Sequence, residues 1–240
     1  MSNAEIKAAI ERDGFAIVPD VVVLDTVNSL ISAIEAVREG QGVQQRGTAS
    51  KANVYAIRNL LEVVPTVREL AQSAPVRALL KPILGPNYFA VRGILFDKIP
   101  QANWKVTWHQ DLSIAVRERK EAEGFGPWPQ KAGVLHVQPP VAILEGMLTL
   151  RLHLDDCTPE NGPLQVIPGS HHYGRLDAQA IQCCRKNHPA VICPVPRGGA
   201  LLMKPLLLHA SSASQTPHHR RVIHLEFAAK TLPDGLAWHC

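Results

Sequence analysis

The chain has 240 residues, with 25 Lys and Arg against 21 Asp and Glu, so its formal net charge is +4. Hydrophobic residues make up 46% and charged residues 19%, an ordinary globular composition that excludes a wholly disordered chain. No apolar run reaches the ~18 residues that span a membrane, and the N-terminal segment lacks the pattern of a secretory signal. The small, scattered positive charge gives no argument for nucleic acid. We therefore expect neither a membrane nor a nucleic-acid partner.

The cysteine pattern also limits the function. The chain has five cysteines, an odd number, and no two of them form a C-x-x-C pair. The usual zinc-finger and thioredoxin-type motifs are therefore not predicted. The pattern favours reduced, inert thiols in a cytoplasmic protein.

The first 85 residues carry mostly helical patterns. Asp25 can cap a helix, and apolar residues recur at helical spacing after it. Prolines open two shorter helices, and Gly85 closes the second. The predicted elements of this helical flank are a helix at Ala4–Arg12, a strand at Phe15–Val18, a helix from Asp25 to Glu39, a loop at Gly40–Asn53, and helices at Pro65–Gln72 and Pro75–Leu84.

From residue 86 onward, short β-type runs alternate with Gly, Pro and Asn turns, which indicates a sandwich or barrel. The predicted strands are Tyr88–Phe96, Lys105–His109, Met147–Leu154, Leu164–Ile167, Val191–Val195, Ala200–Met203, Leu206–Ala210 and Arg220–Phe227. A stretch rich in Gly, Pro and charge between Asp111 and Glu145 is predicted as a long functional loop. We expect one domain over residues 1–240, with helices in 1–85, a β core in 86–228 and a tail in 229–240.

The predicted strand Met147–Leu154 has two different faces, because side chains alternate along a strand. Leucines occupy one face, and Thr149, Arg151 and His153 lie on the other. Burying an arginine and a histidine is costly unless both are paired. This face therefore lines a polar cavity or, alternatively, is the solvent-exposed face of an antiparallel sheet.

Three pairs combine a histidine with a carboxylate two residues later, a spacing that places both on one side of a strand. They are His109/Asp111, His153/Asp155 and His224/Glu226. With 11 His and 21 acidic residues, chance predicts about one such pair, so one pair alone is weak. Two histidines and one carboxylate form the facial triad of non-haem iron(II) oxygenases. His209 is a candidate second histidine, and the later Arg220 is suited to hold a carboxylate.

Three motifs occur in order along most of the chain. They are WHQD at Trp108–Asp111, LDDCTPENGPLQVIPGSH at Leu154–His171 and HASSASQTPHHRR at His209–Arg221. Together they resemble the phytanoyl-CoA dioxygenase family of iron(II)- and 2-oxoglutarate-dependent oxygenases. The resemblance implies a mainly β fold, a cupin-like double-stranded β-helix or jelly-roll barrel with N-terminal α-helices on one side. It also implies Fe(II) as cofactor and 2-oxoglutarate and O2 as co-substrates.

The strand order of the family chooses among the three pairs. Four strands separate the H-x-D strand from the distal histidine in the family, and four predicted strands lie between His109 and His209. Only three follow His153, and His224 lies after the distal histidine. The resemblance therefore implies His109, Asp111 and His209 as the metal ligands and catalytic residues. The presence of Asp111 argues against halogenation, because halogenating relatives carry a small residue there.

The resemblance also assigns residues to the co-substrate. Arg220 matches the arginine that pairs with the distal carboxylate of 2-oxoglutarate, while the adjacent Arg221 is expected on the opposite face. Ser211 matches an assisting serine, and Lys98 stands where relatives often carry a co-substrate lysine. The implied chemistry is decarboxylation of 2-oxoglutarate to succinate and CO2, coupled to hydroxylation of a small organic molecule.

The candidate substrate-binding residues are Arg151, Trp108, Thr149 and His136. Arg151 stands where the family often has an aromatic residue, so it either binds an acidic group or forms a structural ion pair. Together with Arg117, Arg119 and Lys120, it favours a carboxylated substrate. The alternative function is a catalytically inactive jelly-roll module that binds metal or a small ligand, although such a module is expected to lose at least one triad residue. Nothing in the sequence indicates an oligomeric state.

Overall fold

The computed structural model describes residues 1–39, 45–47, 54–100, 102–131, 133–215 and 218–240. Its helices are α1 Asn3–Asp13, α2 Leu24–Glu39, α3 Leu60–Val63, α4 Pro65–Ala71, α5 Ala74–Leu84, α6 Val141–Glu145 and α7 Ala178–Asn187. Its strands are β1 Phe15–Val18, β2 Gln45–Gly47, β3 Val54–Ile57, β4 Phe89–Lys98, β5 Val106–His109, β6 Ile114–Ala115, β7 Gln130–Lys131, β8 Val134–Val137, β9 Met147–His153, β10 Leu164–Val166, β11 Val191–Cys193, β12 Ala200–Met203, β13 His209–Ser211 and β14 Arg220–Ala228. None of the described helices is long and apolar enough to cross a membrane.

The strands form two principal antiparallel sheets and one small sheet. The seven-stranded sheet has the order β1-β12-β9-β14-β4-β3-β2, and the four-stranded sheet has the order β11-β10-β13-β5. The small sheet has the order β6-β8-β7. The two larger sheets are the halves of a double-stranded β-helix, so the expected fold is confirmed.

The seven-stranded sheet carries the apolar core on one face. Leu148, Leu150 and Leu152 of β9 are fully buried and pack in one cluster with residues of α1 to α5. Thr149, Arg151 and His153 point to the opposite face of the same strand and are also buried. This face is therefore the interior of the barrel, and the alternative of a solvent-exposed face is wrong.

Capping residues explain where two helices begin. Ser2 caps α1, and its side chain and that of Glu5 satisfy each other's backbone N–H groups in a capping box. Asp177 accepts a hydrogen bond from the backbone N–H of Ala180 and caps α7. Helix α7 was not predicted from the sequence, because its residues are largely polar and only Cys184 is buried.

The first 85 residues are more than a helical flank. The predicted strand β1 pairs with β12, and the unpredicted β3 pairs with β4, so this segment adds strands at both ends of the seven-stranded sheet. β3 has four residues, too few to distinguish a strand from a helix by periodicity. The predicted loop Gly40–Asn53 lies outside the described residues except for β2.

The stretch between Asp111 and Glu145 has structure of its own, which corrects the prediction of a long loop. It contains the small sheet and α6. The predicted tail packs against it, since Trp238 is buried in an apolar cluster with Val116 and forms a β-bridge with it. Strands of two residues, such as β6 and β7, leave too little pattern for prediction.

Candidate metal centre

The ligands predicted for iron converge where two strands of the four-stranded sheet meet. His109 on β5 and His209 on β13 are direct cross-strand partners, and Asp111 follows β5. Nε2 of His109 lies 3.9 Å from Oδ1 of Asp111, and Nε2 of His209 lies 3.8 Å from Oδ2. One ligand atom from each residue lies within 4.8 Å of the others. Three such atoms surround a point that is suited to one metal ion.

The hydrogen bonds of the two histidines favour metal binding through Nε2. Nδ1 of His109 lies 2.8 Å from the carbonyl oxygen of Thr107, and Nδ1 of His209 lies 2.8 Å from that of Leu207. A carbonyl only accepts, so each Nδ1 carries the proton and each Nε2 offers a lone pair. Oδ2 of Asp111 is buried without a hydrogen-bond partner among the described residues. The donor set therefore fits Fe(II), which such a two-histidine, one-carboxylate group binds.

The charges at this centre also suit a cation. Desolvation raises the pKa of Asp111, but the charges of His209, His224 and His109 outweigh it and lower the pKa to about 2. Burial lowers the pKa of His209 to about 4. At neutral pH the carboxylate is therefore ionised and the imidazole of His209 is neutral, which are the forms that ligate metals.

Two residues that were not singled out from the sequence position the ligands. Gln110 donates hydrogen bonds to the carbonyl oxygens of Leu206 at 2.7 Å and Gly174 at 2.8 Å, which ties the end of β5 to neighbouring segments. The hydroxyl of Ser170 accepts a hydrogen bond from the backbone N–H of Leu208 at 2.9 Å. Both residues lie within the quoted motifs, but the sequence alone did not show which backbone groups they contact.

The three residues assigned to the co-substrate lie together inside the barrel. Lys98 of β4 and Arg220 of β14 are cross-strand partners, and Nζ of Lys98 donates to the hydroxyl of Ser211 at 3.2 Å. Nζ also contacts the carbonyl of Ser212, and Nη1 of Arg220 contacts that of Gly162. Neither cation has a carboxylate partner among the described residues, although Lys98 is 1% and Arg220 5% exposed. Buried cations of this kind are matched to an anion.

Burial also changes the protonation of this cluster. It lowers the pKa of Lys98 to about 7, and the nearby charge of Arg220 adds to the effect. An anion placed between the two side chains would oppose both causes. The adjacent Arg221 has the opposite environment, because it binds Asp155 through two hydrogen bonds of 2.9 Å and 2.7 Å. The expected division of the two arginines between the faces is therefore present in the structure.

A chain of hydrogen bonds crosses the interior face from β9 to β4. Nη1 of Arg151 lies 2.8 Å from Nδ1 of His224. Since a guanidinium only donates, Nδ1 accepts and Nε2–H of His224 donates to Oε1 of Glu226 at 3.3 Å. Nη1 of Arg92 donates to the same oxygen at 3.1 Å. The H-x-E pair of β14 therefore orients Arg151 and Arg92. Arg151 contacts no carboxylate of the described residues, so the structural ion pair proposed for it is wrong.

A cavity of about 980 Å³ opens from the metal centre. Its lining includes His109 and Asp111 together with Ile94, Phe96 and Leu112. A second part of the wall is basic and includes Arg58, Arg92 and Lys131. The volume is at the upper end of the range for small-molecule sites, which is about 300–1,000 Å³.

The four predicted substrate residues occupy different places. Arg151 and Thr149 are buried on the interior face, and His136 lines a narrow pocket that shares three basic residues with the cavity. The prediction that Trp108 binds substrate is wrong, because alternation along β5 turns its side chain away from His109. It packs with Ile167 and Leu208, and its ring lies 5.6 Å from the guanidinium of Arg185 on α7.

Three of the basic residues that favoured a carboxylated substrate lie away from the cavity, so that argument is wrong for them. Arg117 and Arg119 are exposed, and Arg119 pairs with Glu121 at 3.3 Å. Lys120 donates to the carbonyl oxygen of Gly235 at 2.9 Å. None of the three lines the cavity.

The jelly roll and the two-histidine, one-carboxylate group define a class, the non-haem iron(II) oxygenases that use 2-oxoglutarate. The family model for phytanoyl-CoA dioxygenase (PhyH) matches residues 10–222, and the chain belongs to this family.

Two curated relatives extend the comparison. The chain is 22% identical over 245 residues to ectoine dioxygenase from Sphingopyxis alaskensis, with 91% of this chain and 73% of that protein aligned. It is 24% identical over 184 residues to L-proline trans-4-hydroxylase from Streptomyces griseoviridis, with 77% of this chain and 61% of that protein aligned. The chain thus spans less than two thirds of the second relative.

Solved structures share the fold. EctD from S. alaskensis with bound Fe superposes with a TM-score of 0.74 at 21% identity, over 95% of this chain and 78% of that one. SnoN, a non-haem α-ketoglutarate-dependent epimerase from nogalamycin biosynthesis, superposes with a TM-score of 0.71 at 18% identity, over 95% and 84% of the two chains.

Proposed function

We propose that this protein hydroxylates a small organic substrate with O2 and 2-oxoglutarate, releasing succinate and CO2. The observation that carries the proposal is the convergence of His109, Asp111 and His209 beside a cavity of about 980 Å³, with a buried oxygen of Asp111 that has no hydrogen-bond partner among the described residues. The two relatives named above are an ectoine dioxygenase and a proline hydroxylase, which supports a small-molecule substrate and a hydroxylation outcome.

The chain's own residues have separate roles in this proposal. His109, Asp111 and His209 hold the iron, which, when bound, supplies the oxidation that places one oxygen atom in succinate and one in the substrate. Arg220 and Lys98 bind the distal carboxylate of 2-oxoglutarate, and Ser211 orients the ammonium group of Lys98. Their burial excludes water from this carboxylate and strengthens the charge pairing.

The test is spectroscopic and precedes any substrate search. Fe(II) and 2-oxoglutarate are added to the metal-free protein without oxygen, and we expect a visible iron-to-ketoacid charge-transfer band. The variant His109→Ala should lose the band. A matched control is His188→Ala, an exposed histidine at the end of α7, which should keep it.

Two outcomes would contradict the proposal. Folded protein that gives no band has either a misassigned triad or no oxygenase chemistry, and the non-catalytic binding module then explains the site. A band that persists in His109→Ala would show that iron binds elsewhere. Succinate release under air, measured against 2-oxoglutarate consumption, then separates a competent enzyme from a protein that only binds the co-substrate.

We also propose a cytoplasmic location, as the cysteine pattern predicted. The five cysteines are all free thiols, and Cys157, Cys184 and Cys193 are buried. Mass spectrometry of the alkylated protein from its native host should find no disulfide.

A further inference from the structure

A second group of metal-ligating side chains lies where α3 meets the tail at residues 229–240. Glu62 of α3, His239 and Cys240 each offer one ligand atom, and these atoms lie within 4.8 Å of one another. Glu62 and Cys240 are 178 residues apart in the sequence, and the group shares no residue with the triad. We propose that these three residues bind one zinc(II) ion, which fastens the tail to α3. The inference does not depend on the oxygenase activity.

The distances within the group suit ligands that share one ion. Nε2 of His239 lies 3.0 Å from Oε1 of Glu62, and Sγ of Cys240 lies 3.9 Å from the same oxygen. Nε2 of His239 is buried and has no hydrogen-bond partner among the described residues. In a tetrahedral zinc site with bonds of about 2.0–2.3 Å, the ligand atoms lie roughly 3.3–3.8 Å apart. The two measured distances lie within a few tenths of an ångström of this range, so zinc binding needs only small side-chain movements.

Backbone hydrogen bonds hold the tail in the position that the site needs. The N–H of His239 donates to the carbonyl oxygen of Ala115 at 3.1 Å, and the N–H of Arg117 donates to that of Ala237 at 3.1 Å. These bonds do not involve the ligand side chains. The tail is therefore ordered beside α3 without the metal, and less conformational freedom is lost when the metal binds.

The donor atoms favour zinc over the iron of the triad. Thiolate sulfur, imidazole nitrogen and carboxylate oxygen are all zinc ligands, and a thiolate selects a softer metal than the two-histidine, one-carboxylate group does. Glu62, His239 and Cys240 also line a cavity of about 630 Å³, so a water molecule can reach the fourth position. Zinc has no redox chemistry, which suits an ion that fastens two segments.

The charges match a divalent cation, although cations lie nearby. The carboxylate of Glu62 and the thiolate of Cys240 carry two negative charges, and binding releases the thiol proton to solvent. Burial and the charge of Glu62 raise the pKa of the Cys240 thiol, and the charges of Arg68 and Arg117 oppose them. The two arginines also weaken the attraction for a further cation. We therefore expect a lower affinity than that of a structural zinc site with four protein ligands.

Cobalt(II) is the probe that distinguishes this site from the triad. Reduced, metal-free protein is titrated with Co(II) without oxygen, and the near-ultraviolet thiolate-to-cobalt charge-transfer band is followed. The triad has no sulfur ligand, so cobalt bound there gives no such band. The variants are Cys240→Ser, His239→Ala and Asp111→Ala. The matched control is Cys183→Ser, at an exposed cysteine on α7.

The wild-type protein should bind two equivalents of Co(II), and the thiolate band should account for one of them. Cys240→Ser should lose the band and keep the equivalent at the triad, whereas Asp111→Ala and Cys183→Ser should keep the band. His239→Ala should weaken the cobalt binding that gives the band by at least about ten-fold, because a direct ligand is lost. One equivalent of Zn(II) at this site should displace the cobalt and abolish the band.

A second measurement tests the fastening role. In the Asp111→Ala background, which lacks the triad carboxylate, zinc at about 100 times its Kd should raise the melting temperature by roughly 5 °C. The double variant Asp111→Ala/Cys240→Ser should show no such shift.

Four results would overturn the inference. They are a folded wild-type protein without the thiolate band, a band that survives in Cys240→Ser, a band lost in Cys183→Ser, and cobalt binding that His239→Ala leaves unchanged. The last result would mean that a single exposed thiol binds cobalt adventitiously. A zinc-induced rise in melting temperature that persists in the double variant would place the stabilising ion elsewhere.

Discussion

The two faces of the seven-stranded sheet have opposite chemistry, although the same strands build both. Leu150 and its neighbours on the outer face pack against the helices in one apolar cluster. One residue along, Thr149 and Arg151 belong to a polar interior that contains cations with no carboxylate partner among the residues that the structure describes. Apolar burial on the order of 25 cal/mol per Å² stabilises the first face, whereas the second is costly to bury. Stability and function are therefore separated by strand alternation, and substitutions on the two faces should have different consequences.

The largest effect is expected at the metal ligands. Asp111→Ala removes the only carboxylate of the triad, so metal-dependent turnover should fall on the order of 1,000-fold, equivalent to several kcal/mol of lost stabilisation. The free energy of unfolding of the metal-free protein should not fall, because Oδ2 of Asp111 has no hydrogen-bond partner among the described residues. Succinate release and urea unfolding of the metal-free protein measure the two quantities. Unchanged activity would refute the assignment.

A substitution on the outer face should lower the stability of the protein and not act on the metal centre. Leu150 is fully buried in the apolar cluster, so Leu150→Ala should lower the free energy of unfolding by about 2–5 kcal/mol through lost packing and a residual cavity. The matched variant is Thr149→Val on the interior face. The hydroxyl of Thr149 is buried without a partner among the described residues, so its removal should leave stability unchanged or raise it by about 1 kcal/mol. Equal losses in both variants, measured by urea denaturation, would contradict the division between the faces.

The adjacent residues Arg220 and Arg221 on β14 test the difference between the two faces through the affinity for 2-oxoglutarate. Arg220→Leu should weaken 2-oxoglutarate binding by about ten- to hundred-fold, because the distal carboxylate of 2-oxoglutarate loses its cationic partner, with no comparable loss of stability. Arg221→Leu should leave that affinity unchanged and lower stability, because it leaves Asp155 without its paired guanidinium. Anaerobic titration of the charge-transfer band and urea unfolding separate the two effects. If Arg221→Leu weakened 2-oxoglutarate binding, the assignment of the co-substrate to Arg220 would be contradicted.

The sequence predicted the features that have local patterns. Alternation and turn residues located β9, β12 and β14, and the resemblance carried by the three motifs implied the triad and Arg220. The basic part of the cavity wall had no such signal, because Arg58, Arg92 and Lys131 are far apart in sequence and line one cavity only in the folded chain. The partner of Arg151 was equally hidden, since its contact with His224 depends on the register of β9 against β14. Trp108 was misplaced because a residue next to a ligand in sequence lies on the other side of the strand.

The smallest expected effect concerns one proton on Lys98. Burial lowers its pKa to about 7 in the protein without an anion, against 10.5 for an ordinary lysine. Between these values the unfolded chain binds the proton more strongly, so the stability of the anion-free protein should rise with pH through this range. The distal carboxylate of 2-oxoglutarate should raise the pKa again, and binding near pH 8 should therefore take up part of one proton, with almost none taken up near pH 6. Calorimetric titrations in buffers of different ionisation enthalpy measure this uptake. Lys98→Met should abolish this proton uptake. Uptake that persists in that variant would show that another group takes up the proton.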